Sequence, residues 1–277
     1  MLIIDCHAHV TSPDEKCYPL KENPRLIPGG KGSAQDLREM SLANGVSAVR
    51  AVHTVSSYDY DNRYLCAVAR ENPDWIAGVC TLEPDDPQSP ELLTRFIRED
   101  GVRTLRSTPG NQRTTFDHEG VRKLWRTCVE VGATVDVFLM QPGHVEGIEK
   151  LLREFPDLIV GFCHCMDLKP GPFYDQVLGA VLRLSKYDNL YAKVDFISTG
   201  SESGFPGEDL HAAALEIIAA YGPERCVWGS NFPNSLWTPG FTYAQHLQIF
   251  TEILPLSSAA RAQVLGETAR RLWFPNL

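Results

Sequence analysis

No run of this sequence approaches the eighteen or so consecutive apolar residues that a membrane-spanning helix requires. Positive charge is also in short supply. Lys and Arg total 26 against 35 Asp and Glu, a formal net charge of -9 at pH 7, and no basic stripe stands apart from this balance. Nucleic-acid partners are therefore disfavoured, because non-specific affinity for them comes mainly from cations that neutralise phosphates. Cysteine is too thinly spread for a stapled secreted scaffold, eight residues in 277, and the thiols are expected to be reduced. A first strand beginning at Leu2 leaves no room for a secretory leader, so the expected location is cytoplasmic. Low-complexity segments are absent, as are internal repeats beyond a strand-helix unit.

What is present is an ordinary globular balance, 43% hydrophobic and 22% charged, ample for a sizeable core. Short runs rich in β-branched and apolar residues recur at Leu2 to His9, Ser47 to His53, Trp75 to Leu82, Val102 to Ser107, Thr134 to Met140, Leu158 to His164, Leu190 to Phe196 and Arg225 to Asn231. Helical spacing fills the intervals Tyr64 to Arg70, Pro90 to Glu99, Glu119 to Val131, Val145 to Glu154, Tyr174 to Lys186 and Leu210 to Tyr221. Two further helical stretches, Tyr243 to Leu254 and Ser257 to Trp273, follow the last strand. Such alternation argues for a parallel sheet with crossover helices, and eight units allow closure. The expected fold is α/β, a single-domain (β/α)8 TIM barrel over residues 1–277, since one such core needs roughly 250 residues. The Gly- and Pro-rich segment Pro24 to Gly32 is either a lid beside the first strand or a solvated loop.

In a barrel of this type the active site lies at the C-terminal strand ends. Asp5, His7 and His9 share one parity on the first strand, so both imidazoles face the same side. A His-x-His pair there can hold one divalent ion or one polar substrate group. His164 ends the sixth strand, where it is either a third member of this group or a hydrogen-bonded core histidine. Strand alternation would turn the flanking Cys163 and Cys165 outward as buried, inert thiols. The last strand ends in Trp228-Gly229-Ser230-Asn231-Phe232-Pro233, whose small residues bring backbone close to the pocket and leave Asn231 projecting into it. Arg106 suits bidentate capture of a carboxylate, with a surface salt bridge as its competing role, and His53 could hydrogen-bond the same anion. Lys193 and Asp195 share parity on the seventh strand; both could reach the pocket, or Lys193 could be buried against Asp5 or Asp136. Tyr58, Tyr60, Asn62 and Arg63 either line the entrance or begin a helix with Asn62 near its cap.

Along essentially the whole chain these residues resemble the amidohydrolase superfamily, specifically the amidohydrolase 2 branch that includes pyrone-dicarboxylate and sulfomuconolactone hydrolases. The likeness runs through Ile4-Asp5-Cys6-His7-Ala8-His9, Tyr58 to Leu65, Gly101 to Arg106, Cys163-His164-Cys165-Met166, Leu190 to Val194, Trp228 to Pro233 and Glu267 to Leu272. It implies a lactonase-like hydrolase acting on a small anionic organic substrate, with a homo-oligomer compatible. His7, His9 and His164 would be catalytic and would hold one divalent ion, zinc or manganese, weakly bound or dispensable. Asn231 would position the water, and His53, Arg106, Lys193 and Asp195 would contact substrate.

Two residues depart from the family pattern. The superfamily's eighth strand normally carries an aspartate that is both metal ligand and general base, and Asn231 cannot take a proton from water; losing such help typically costs about 100- to 10,000-fold in rate. If this asparagine is an engineered block, Asn231→Asp should restore about tenfold or more activity; if it is native, Asp195 becomes a candidate replacement base. The fifth strand offers Asp136 with no histidine or bridging lysine, which argues against a two-metal centre. A non-oxidative decarboxylase of an aromatic or muconate-like acid, and a catalytically silent anion-binding barrel, are the competing functions.

Overall fold

A computed structural model describes residues 1–25, 31–111, 113–139 and 141–277. Most of the expected lid, residues 26–30, and Met140 at the expected end of the fifth strand lie outside the described residues. The apolar runs form eight parallel strands, β1 (Ile4–His9), β2 (Ala48–Val52), β3 (Ile76–Thr81), β4 (Val102–Ser107), β5 (Thr134–Val137), β6 (Val160–Phe162), β7 (Leu190–Lys193) and β8 (Cys226–Val227). Neighbours pair in chain order. The sheet comes round on itself because Cys6 N donates to Trp228 O at 3.0 Å, Asn231 N to His7 O at 2.8 Å and His9 N to Phe232 O at 2.7 Å. The expected (β/α)8 TIM barrel is therefore the fold. No helix among the described residues is long and apolar enough to cross a membrane.

Helices form the outer layer: α1 (Ala34–Ala43), α2 (Arg63–Glu71), α3 (Ser89–Glu99), α4 (Glu119–Val131), α5 (Val145–Glu154), α6 (Tyr174–Leu184) and α7 (His211–Tyr221). The expected helices omit α1, although Ser33 and Asp36 spell its start. Ser33 Oγ accepts from Asp36 N while the Asp36 carboxylate accepts from Ser33 N, a reciprocal cap worth about 1 kcal/mol. Of the two closing helical stretches, the first ends in a wider π-helical segment, Ile249–Ile253, and the second is interrupted by one, Gln263–Glu267. Between the layers lie fully buried side chains such as Val49, Leu93, Leu105, Trp125, Val135, Leu151, Leu184 and Ile217, each stabilising by roughly 1.5–3 kcal/mol where it is a large aliphatic or aromatic group. A separate cluster of Ile4, Cys6, Ala48, Ala77, Val227, Trp273 and Phe274 closes the floor of the barrel.

The strands at the mouth are shorter than expected, and the shortening builds the site. β6 stops at Phe162, after which His164, Cys165, Met166 and Asp167 take left-handed backbone with φ of 53°, 43°, 64° and 49°. β7 stops at Lys193 and a helical turn, Phe196–Gly200, starts directly after Asp195. Alternation no longer governs side-chain direction beyond such a break, and one expectation fails there. Cys163 points into the barrel, its Sγ 3.8 Å from Asp136 Oδ2 and 3.7 Å from Lys193 Nζ, while Cys165 donates to the Lys193 carbonyl at 3.4 Å. Burial pushes the Cys163 thiol up to about 12 and that of Cys165 well above the usual thiol range, so both stay protonated.

Candidate active site

A column of buried polar side chains rises through the barrel from floor to mouth. Arg50 lies over the Trp273 ring at 3.7 Å and donates to Thr104 Oγ1 at 2.9 Å and Asp136 Oδ1 at 3.1 Å. Asp136 Oδ2 accepts from Lys193 Nζ at 2.8 Å, and Lys193 Nζ donates in turn to His7 Nδ1 at 3.0 Å. Burial opposes the charge on Asp136, but Arg50 and Lys193 outweigh it and hold the carboxyl well below the usual range. Burial likewise opposes the charge on Lys193, and Asp136 overcomes it, so the ammonium persists. Paired in this way, the buried charges avoid the large penalty of an isolated ion. Lys193 accordingly supports the site from below and does not line the cavity.

This pairing assigns the imidazole tautomers. An ammonium only donates, so His7 Nδ1 accepts and the proton of neutral His7 sits on Nε2. His7 Nε2 faces His9 Nε2 at 3.2 Å, and His9 Nδ1 lies 3.0 Å from the Val52 carbonyl, where it donates. Each nitrogen of the two rings thus has a partner of the correct kind. Burial, assisted by Lys193 at His7 and by Arg106 at His9, holds both rings well below the usual histidine range and therefore neutral. His164 completes the group with its ring centroid 4.4 Å from that of His7, itself 5.0 Å from His9.

Three of these atoms remain unpartnered. His164 Nδ1 and both carboxylate oxygens of Asp195 are buried without a hydrogen bond, although Asp195 Oδ1 stands 3.2 Å from His164 Nδ1 and Oδ2 3.8 Å from His7 Nδ1. Neutral imidazole and carboxylate oxygen are the donor types that zinc and manganese accept, so the residues present fit a single divalent ion. Asn231, with φ of 56°, donates from Nδ2 to the Asp195 carbonyl at 3.1 Å and lies 3.5 Å from Ser198 Oγ. Gly229 permits this crowding, because a Cβ there would stand 2.6 Å from His7 Cβ and 3.2 Å from Asp195 Oδ2.

Above the imidazoles opens a cavity of about 590 Å³ walled by His9, His164, Asn231, Arg106, Phe138 and Trp237, with Arg25, Asp167 and Lys169 also contributing. Arg106 is 9% exposed, its guanidinium over the Phe138 ring at 4.5 Å and its Nε without a hydrogen-bond partner. Arg25 lies over Trp237 at 4.7 Å, and Trp237 packs 5.1 Å from His9. His53 does not line the cavity: its Nε2 bonds the Asp59 carbonyl at 2.7 Å, and burial lowers the ring to about 4. The Tyr58 hydroxyl accepts from Ser12 N at 2.7 Å, and Asn62 precedes α2 but bonds the backbone of Thr81. The cavity is instead approached on that side by Thr54, Val55 and Ser56. Arg25 and Lys169 sit on irregular segments and Trp237 on a one-turn helix, Asn234–Trp237, so no periodicity in the sequence aims them at the cavity.

Solved structures share this architecture. A candidate 2-pyrone-4,6-dicarboxylic acid hydrolase from Pseudomonas putida matches with a TM-score of 0.80 and 26% identity, over 100% of this chain and 98% of that one. An amidohydrolase from Burkholderia multivorans solved with bound zinc matches with a TM-score of 0.78 at 18% identity over 99% of both chains. 5-Carboxyvanillate decarboxylase from Sphingomonas paucimobilis matches with a TM-score of 0.67 at 15% identity over 98% of both chains. The last two likenesses are of fold. A family profile described as amidohydrolase covers residues 4–274, and the chain belongs to that family.

Proposed function

We propose that this protein is a hydrolase that opens a small carboxylated lactone or related cyclic ester by attack of water on the ring carbonyl. The observation that carries this reading is Arg106, a nearly buried guanidinium stacked on Phe138 with its Nε unpartnered, on the wall shared with His9 and His164. Such a cation gains most from a carboxylate that arrives with the substrate. Arg25 and Lys169 add positive charge to the same cavity, and Phe138 with Trp237 suits a flat ring.

With Nδ1 turned to Asp195, His164 has its other ring nitrogen free to reach a substrate oxygen or the attacking water. Asn231 commits its amide nitrogen to the Asp195 carbonyl, which leaves Oδ1 to accept from a water and aim it. Lys193 fixes His7 in one tautomer so that His7 and His9 present a constant face. A divalent ion held here by His164, and by His7 through Nδ1 once Lys193 gives up its bond there, would supply Lewis-acid polarisation of the carbonyl and a more acidic water. An absorbance screen of mono- and dicarboxylated lactones, run on chelated protein and on protein supplied with zinc or manganese, should show ring opening in at least one state. No turnover of any carboxylated lactone in all three states would refute the proposal.

A second reading, non-oxidative decarboxylation of a small aromatic or unsaturated acid, is favoured by Asn231, which offers no proton acceptor for water. It uses the same grip by Arg106. Release of carbon dioxide without ring opening would put it first.

A further inference from the structure

Asp195 poses a problem that the proposed hydrolase reaction leaves unsolved. Its side chain is fully buried, yet neither carboxylate oxygen has a hydrogen bond. The nearest candidates are ring nitrogens on opposite sides, His164 Nδ1 at 3.2 Å and His7 Nδ1 at 3.8 Å, and the latter is already occupied by Lys193. A carboxylate stripped of water and left without donors is strongly destabilised unless a cation stands beside it. Among the described residues, the His, Cys, Asp and Glu side chains whose donor atoms converge within 4.8 Å are His7, His164 and Asp195. We propose that Asp195, at the end of β7, is the anionic ligand of a single divalent zinc or manganese ion held with His164 and with His7 Nδ1, whose lone pair Lys193 yields to the ion while its ammonium stays on Asp136, and that the eighth strand has given up this task.

Asn231 fits that division of labour. Its Nδ2 donates to the Asp195 carbonyl at 3.1 Å and its backbone N to the His7 carbonyl at 2.8 Å, so it ties the two ligand-bearing segments together. An aspartate at 231 would set a carboxylate oxygen against the Asp195 carbonyl, two acceptors with no proton between them, and would place a second negative charge beside the first. Its left-handed backbone, φ 56°, is one that asparagine tolerates better than most residues. Asn231→Asp is therefore a damaging change at this site, the reverse of what an engineered block would give.

This inference deepens the proposed hydrolase by naming its ion ligand, but its readout is metal content and so is separable from lactone turnover. Purified full-length protein, Asp195→Asn and Asn231→Asp are stripped with chelator and reloaded with zinc or with manganese alone. Bound metal is counted by mass spectrometry and affinity is measured by calorimetry, with circular dichroism and melting curves as the fold control. Wild type should take up about one ion per chain and melt higher when loaded. Asp195→Asn should lose about 100-fold or more in affinity, and Asn231→Asp should bind no tighter than wild type. Folded wild type that takes up neither metal would overturn the proposal and leave Asp195 facing His164 with no ion between them. Unchanged affinity in Asp195→Asn, or a tenfold gain in Asn231→Asp, would return the ligand role to the eighth strand. If Asp195→Asn fails to fold, wild-type stoichiometry and the absence of gain in Asn231→Asp still decide the matter.

Discussion

Arg106 is the residue on which substrate class turns. Replacing it with methionine keeps the contact with Phe138 but removes a charge-assisted pair worth about 1.5–3 kcal/mol, so kcat/KM for carboxylated lactones should fall about 10- to 150-fold. Steady-state kinetics should place most of that loss in KM, with an uncharged lactone nearly unaffected; equal losses on both substrates would remove carboxylate recognition from Arg106. His7 and His9 could be read together from the sequence because parity on a strand is a local property. The partner of Lys193 could not. Asp5 and Asp136 both suit a buried ammonium by residue type, and only the folded barrel puts Asp136 2.8 Å away while Asp5 accepts from Ser230 and Tyr243.

Among elements, the seam between β1 and β8 controls whether the imidazoles meet. Gly229 lets the segment after β8 lie against His7, and a methyl group there would fall 2.8 Å from the His7 amide nitrogen as well as 2.6 Å from its Cβ. Gly229→Ala should therefore destabilise the protein by about 1–3 kcal/mol, as overpacking usually does, and should abolish most activity by displacing His7. Urea denaturation with an unchanged midpoint would mean that the seam yields more easily than its geometry indicates. The eight strands and most helices were legible because each carries its own period. What happens after the last ladder hydrogen bond is not: Cys163 turns inward, and α1 follows a Gly- and Pro-rich stretch that hides its start, with Ser33 and Asp36 as the one local mark of its cap.

For the whole molecule, buried histidines set the response to acid. Burial pushes His53 and His246 down to about 4, whereas in the unfolded chain each titrates near 6.5. Their stabilisation is present above about pH 6.5 and is lost as pH falls toward 4, about 3 kcal/mol for each ring. Asp5 acts in the opposite sense. Burial raises its carboxyl to about 6, against the hydrogen bonds from Ser230, His7 and Tyr243, so its contribution grows as pH falls below that value, by about 3 kcal/mol. His53 and His246 against Asp5 leave a net loss of about 3 kcal/mol, His7 and His9 act in the same direction as the other two rings, and the urea midpoint should be lower at pH 4.5 than at pH 7.5. An equal or higher midpoint at pH 4.5 would show that the rings do not stay neutral in the fold.

The sequence alone determined the alternating strands and helices, the closed barrel they favour, and two histidines on one face of the first strand, since all of these follow from spacing within a few residues. The tertiary structure decided which nitrogen of His7 carries the proton, that Cys163 faces inward, and that Asp195 meets His164. Lys193 and His7 lie 186 residues apart, and contacts at that separation exist only once the barrel has closed and each strand has ended where its backbone turns away.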